Sequence, residues 1–186
     1  MGSVRGVQSL GAAAALAGFI LAGCSGAPSS PMGNGISDPE FVHSAQVPEG
    51  AFGNTGDKSG LSGSKSIDGA AGGEISVGRF NLTFSKGAFQ GKATVSITVP
   101  DTSVVSCQLS IDPPSANNFA APVILRSDCS GTNVVVPSRL MQIWLDESSG
   151  VWRQVPGSTP DVANVDVNTP LTHFSLYGIL EGKAGW

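Results

Sequence analysis

Charge is scarce in this chain. Asp, Glu, Lys and Arg make up 13% of its 186 residues, the net charge is −4, and the acids and bases are scattered without a run of either sign. Nucleic-acid binding needs a stripe of cations to neutralise phosphates, so it is excluded. Aromatic residues are also few, at 6%, and there are only two histidines, His43 and His173, which argues against a histidine-rich metal site and implies no cofactor. Cysteine occurs three times, at Cys24, Cys107 and Cys129. No apolar run reaches the ~20 residues that a membrane-spanning helix takes, and no stretch sustains a helical period.

What the amino terminus does have is Arg5, then an apolar run from about Leu10 to Ala22, then Gly23 and Cys24. This is the layout of a secretory signal. Leu21-Ala22-Gly23-Cys24 resembles the bacterial lipoprotein cleavage motif, in which small residues fit a peptidase groove and the cysteine sulfur receives a diacylglycerol. The resemblance implies a signal peptide over residues 1–23, a cut between Gly23 and Cys24, lipidation of Cys24 that a palmitate analogue would report, and a membrane partner held through the lipid. A plain secretory cut with Cys24 incidental is the alternative. Ser25 follows the cysteine where retained lipoproteins of two-membrane bacteria carry aspartate, so the expected location is the cell envelope, in the outer membrane if the cell has two.

Residues 24–71 are dominated by glycine, serine and proline and show no apolar periodicity, so they read as a disordered, flexible tether. Gly60 to Ser66 has some character of a phosphate-binding loop, but its Gly-Lys-Ser order is wrong. Residues 72–181 have the size of one domain, and 182–186 form a tail. In the domain, Thr94 to Val99 and Cys107 to Ile111 alternate polar and apolar with period two, whereas Pro122 to Arg126 and Arg139 to Leu145 are more continuously apolar. Asp146 to Gly150 forms a hairpin turn before Val151 to Val155, and Asp161–Val167 and His173–Leu180 supply two further strands. The predicted fold is all-β, an antiparallel β-sandwich. Export and the scarcity of cysteine suggest a disulfide between Cys107 and Cys129, with two buried free thiols as the alternative.

The order of landmarks resembles the ZU-five domain, a β-sandwich of tight-junction scaffolds, netrin receptors and ankyrins. The landmarks are Gly72-Gly73-Glu74-Ile75, Leu82-Thr83-Phe84, Gly87-Ala88-Phe89, Thr94 to Val99, Phe119 with Pro122 to Leu125, the Trp144 strand, Gly150-Val151-Trp152, and His173-Phe174-Ser175-Leu176-Tyr177. Ser85-Lys86 departs from the proline often found before the Gly-Ala pair. The resemblance implies a non-enzymatic interaction or spacer module with a protein or envelope-polymer partner. Some members instead cut themselves at His-Phe-Ser: the serine attacks the preceding carbonyl, giving an ester that water opens, with the histidine as general base. Applied here, Ser175 would attack Phe174 with His173 as base, provided that the fold twists an otherwise planar amide and supplies an oxyanion donor. The reading preferred on sequence is structural, with the tripeptide starting the last strand after a turn at Pro170, and no catalytic residue is assigned. Asn164, Asp166 and Asn168 share a face and are candidate calcium ligands, but acids and amides near turns are usually solvated. No metal site is assigned.

Overall fold

A computed structural model of the protein describes residues 35–36, 38–44 and 60–183. Gly23, Cys24 and the signal segment lie outside the described residues. Among those described, two antiparallel sheets form a sandwich. The strands are β1 (Gly35–Ile36), β2 (Leu61–Asp68), β3 (Gly73–Val77), β4 (Phe80–Phe84), β5 (Lys92–Val99), β6 (Ser106–Asp112), β7 (Val123–Asp128), β8 (Leu140–Asp146), β9 (Val151–Gln154), β10 (Thr159–Asp161), β11 (Asp166–Leu171) and β12 (Leu176–Glu181). One sheet has seven strands in the order β1-β9-β8-β12-β6-β5-β2, and the other has five in the order β10-β11-β7-β4-β3.

The period-two segments form strands because one face of each is buried. On β5, Ala93, Val95, Ile97 and Val99 point into the core while Thr94 and Thr98 stay exposed. Cys107, Leu109 and Ile111 do the same on β6. The facing sheet contributes Phe80, Leu82 and Phe84 from β4 and Val123 and Leu125 from β7. One polar link crosses this apolar interior. Ser127 on β7 donates to the Gln142 side chain on β8 at 2.9 Å, and Gln142 donates to the Gly178 carbonyl on β12 at 2.9 Å. Among the described residues, no buried side-chain nitrogen or oxygen lacks a partner.

Two segments assigned to the tether belong to the sandwich. Residues 61–68 form β2, which pairs along its whole length with β5, from Leu61 opposite Val99 to Asp68 opposite Lys92. The Gly60–Ser66 stretch is therefore an edge strand rather than an anion-binding loop. Residues 35–36 pair with β9, and Phe41, His43 and Ser44 bridge to Leu180, Val104 and Thr132. This packing also explains why β8 is apolar on both faces. Ile143 lies opposite Gly178 on the outer face, where the Phe41 ring covers Gly178, and Ile143 is fully buried.

The last third of the chain corrects three expectations. Asp161–Val167 is not one strand but the end of β10, a turn and the start of β11. Pro170 is no turn residue; it lies within β11 opposite Ile124. The last strand starts at Leu176, so His173-Phe174-Ser175 forms the crossing that carries the chain from the five-stranded to the seven-stranded sheet.

The predicted bridge between Cys107 and Cys129 is absent. Cys107 sits on β6 in the seven-stranded sheet, Cys129 follows β7 in the five-stranded one, and both are free and buried. The Cys129 thiol is oriented toward the carbonyl of Ser127, 3.7 Å away. Burial pushes the Cys107 thiol far above its ordinary value, and burial, aided by the nearby Asp128 carboxylate, pushes Cys129 up to about 12.

Candidate functional site

The crossing at residues 172–175 is held by side chains from three other parts of the fold. Phe174 is buried and packs edge-on against Phe119, with ring centroids 4.9 Å apart, and against Phe84 at 6.1 Å. Phe84 also meets Phe89 at 6.0 Å. Four phenylalanines from separate segments thus plug this end of the sandwich, and edge-to-face packing favours that arrangement beyond the area it buries.

Backbone polar groups of the crossing are satisfied in turn. Asn117, just after a 3-10 turn at Pro114–Ala116, engages both backbone polar groups of Phe174, one in each of the peptide units flanking its Cα. The Phe174 N–H donates to Asn117 Oδ1 at 2.6 Å, and Asn117 Nδ2 donates to the Phe174 carbonyl at 3.3 Å. Tyr177 donates its hydroxyl to the His173 carbonyl at 2.6 Å. Burial, with a smaller contribution from Cys107, raises the Tyr177 phenol above its ordinary value, so it remains a donor. Asn117 and the Tyr177 hydroxyl carry no sequence signal for these roles, because their partners lie on backbone brought close only by the fold.

The two chemically interesting side chains point elsewhere. Ser175 is buried and donates its hydroxyl to the Leu145 carbonyl at 2.8 Å. His173 places Nδ1 3.2 Å from the Thr172 hydroxyl and sets its ring edge-on to Trp144, with centroids 4.6 Å apart. Self-cleavage needs the serine proton aimed at the histidine and the serine oxygen aimed at the Phe174 carbonyl carbon. In this arrangement the proton is committed to Leu145. The crossing also has no residue in the left-handed backbone region; among the described non-glycine residues only Val165 adopts it. One component of the chemistry is in place: the Asn117 amide already donates to the carbonyl oxygen that would become the oxyanion.

Comparison with protein-family models, curated proteins and solved structures finds no match.

The other candidates are settled by their partners. Asp166 forms an ion pair with Arg126 and accepts from Asn168, while Asn164 donates to Asp161. The Asp161 oxygens serve the β10–β11 turn and Asp166 ties β11 to β7, and no cluster of three or more His, Cys, Asp or Glu side chains among the described residues is placed to hold a metal. Asp146 caps the β8–β9 hairpin, and the Ser148 and Ser149 hydroxyls, then Arg153, hold its carboxyl far below the ordinary range. A separate cleft of about 430 Å³ lies between the segment 36–42 and the loop around Val135, with Leu180 and Glu181 among the residues lining it. The Glu181 carboxylate accepts from the Val135 and Val136 amides and so fixes one wall.

Proposed function

We propose that this protein is a lipid-anchored cell-envelope protein whose ZU-five-like β-sandwich is a non-enzymatic interaction or spacer module, attached to the membrane through Cys24. The observation that carries the non-enzymatic part is the Ser175 hydroxyl, which donates to Leu145 rather than facing His173. Every group of the tripeptide has a structural role: Phe174 plugs the sandwich end, Ser175 ties the crossing to β8, and His173 packs on Trp144. The Leu21-Ala22-Gly23-Cys24 motif supports the anchor and the envelope location. The partner in this reading is a protein or an envelope polymer.

Intact mass under denaturing conditions tests the first part, on protein purified through an amino-terminal tag so that a nicked but docked strand is not missed. A single species of full length is expected. A fragment ending at Phe174, lost on Ser175→Ala, would establish instead the self-processing reading, which the Asn117 donor at the Phe174 carbonyl favours. For the anchor, the protein should label with a palmitate analogue and partition into detergent. Unchanged labelling of Cys24→Ala would overturn it.

A further inference from the structure

β2 and β3 each end a sheet, and among the described residues neither has a strand on its outer side. The turn that joins them closes with an Asp68–Gly72 bridge, so the two open edges run along one side of the sandwich. They interlock by alternating bulk. The inward row of β2 is Leu61, Gly63, Lys65 and Ile67, the last of these buried. Gly63 leaves room for the Val77 side chain, which a Cβ would meet at 2.7 Å; Gly78 does the same for Leu61 at 2.9 Å and Gly73 for Ile67 at 3.2 Å. Lys65 is the exception. It stands exposed on a row that faces the core, and its ammonium donates to the Glu74 backbone carbonyl at 2.8 Å. Around this contact lies an open groove of about 330 Å³, lined by Gly63, Ser64, Lys65, Glu74, Ile75 and Ser76.

We infer that the β2 edge is shaped to pair with the β2 edge of a second copy of this chain, and that Lys65 is the guard that keeps it single. Sheets blunt their open edges with proline, bulges or charge. Residues 61–67 hold no proline and pair with β5 without a bulge, and Lys65 is their one charge. Two copies related by a two-fold axis through the sheet keep their inner rows on the same side, so inward residues must oppose inward residues. A register centred on Ser64 then fits throughout. Ser62 opposes Ser66 of the second copy, Gly63 opposes Lys65, and Leu61, one of the few exposed large apolar side chains, opposes Ile67. Centring on Lys65 would set like charges directly opposite, and centring on Gly63 would set Leu61 against Lys65. In the favoured register the two lysines lie diagonally across the axis, with about 7–8 Å between their positions. The added strand would cover the groove and strip water from both ammonium groups. A lone carbonyl does not offset that cost, and among the described residues no ion pair neutralises Lys65. The charge therefore holds the edge open.

The test uses the full chain carrying Cys24→Ser, in mild detergent, so that neither a lipid nor a further reactive thiol takes part; Cys107 and Cys129 are buried. Ser64→Cys puts a thiol on the two-fold axis, opposite its own copy, and diamide oxidises two such thiols to a disulfide that a non-reducing gel scores as covalent dimer. Little dimer is expected while Lys65 is present. Adding Lys65→Val should raise it at least fivefold, and Lys65→Arg in its place should leave it low. Should Lys65→Val fail to fold, Lys65→Gln removes the charge from the same exposed position and should act alike. Position 62 supplies the check on register. Combined with Lys65→Val, Ser62→Cys should give little dimer alone and as much as position 64 when mixed with a Ser66→Cys chain. Equal dimer with and without a charge at position 65, or as much dimer from Ser62→Cys alone as from Ser64→Cys, overturns the inference. With Cys24 replaced, the outcome is independent of the anchor, which the palmitate experiment decides on its own.

Discussion

At the scale of single residues, burial governs the chemistry. Cys107 and Cys129 are buried thiols, one on β6 of one sheet and the other just after β7 of the other, and burial disfavours their thiolates. The denatured, unreduced domain should therefore titrate two thiols, and the native domain none at pH 8. The linkage has a definite sign. Both folded values lie above the ordinary 9.0, so the unfolded chain loses these protons first. Their stabilising effect is complete below about pH 9 and declines as pH rises toward about 12, which a series of thermal melts will show and which Cys129→Ser should blunt. Asn117 is a second case. It satisfies both backbone polar groups of Phe174, and Asn117→Ala should cost roughly 1–3 kcal/mol in urea unfolding, because these part-buried groups have no other partner in place. An unchanged midpoint would mean that water replaces the amide.

At the scale of strands, the polar link between Ser127, Gln142 and Gly178 ties the two sheets at one register. Ser127→Ala and Gln142→Met should each lower stability. Their combination should cost less than the sum of the two, because it removes both ends of one buried hydrogen bond; additive losses in urea titrations would show that the pair is not coupled. The strands themselves were largely legible. Period-two alternation marks β5 and β6 because burial of one face selects it, and a glycine with φ of +68° closes the hairpin at Gly150, as the Ser-Ser-Gly run suggests. β2 was illegible for a physical reason. As an edge strand it buries only Ile67, its outer face is serine, and its inner face includes Gly63 and the exposed Lys65, which reaches across to the Glu74 carbonyl. Nothing in such a composition distinguishes it from a linker. The crossing at His173 to Ser175 was misplaced by a few residues because Phe174 and Leu176 continue the apolar pattern while the backbone changes sheets.

At the scale of the whole molecule, the domain is larger than its apolar pattern. The segment from Gly35 to Ser44, a clasp on the sandwich, carries a single buried side chain, Val42, with six described residues before it and two after it that are exposed or half-buried, so no periodicity announces it. It nevertheless covers apolar surface that the rest of the fold cannot hide, since Ile143 and Leu180 lie on the outer face beneath it and Trp152 flanks Phe41. A chain beginning at Gly60 keeps every core strand of both sheets and loses only Val42 from the main core, so it should still unfold in one cooperative step. It should do so at lower urea than a chain beginning at Gly35. Loss of Val42 burial alone is worth about 1.5–3 kcal/mol, and newly exposed Ile143 and Leu180 add to that. The same exposure should raise binding of a hydrophobic dye, whereas Cys107 and Cys129 should stay unreactive because their strands are untouched. Equal midpoints for the two chains would show that residues 35–44 rest on the sandwich without stabilising it. A non-cooperative transition in the shorter chain would show the opposite error, that the clasp is part of the core itself.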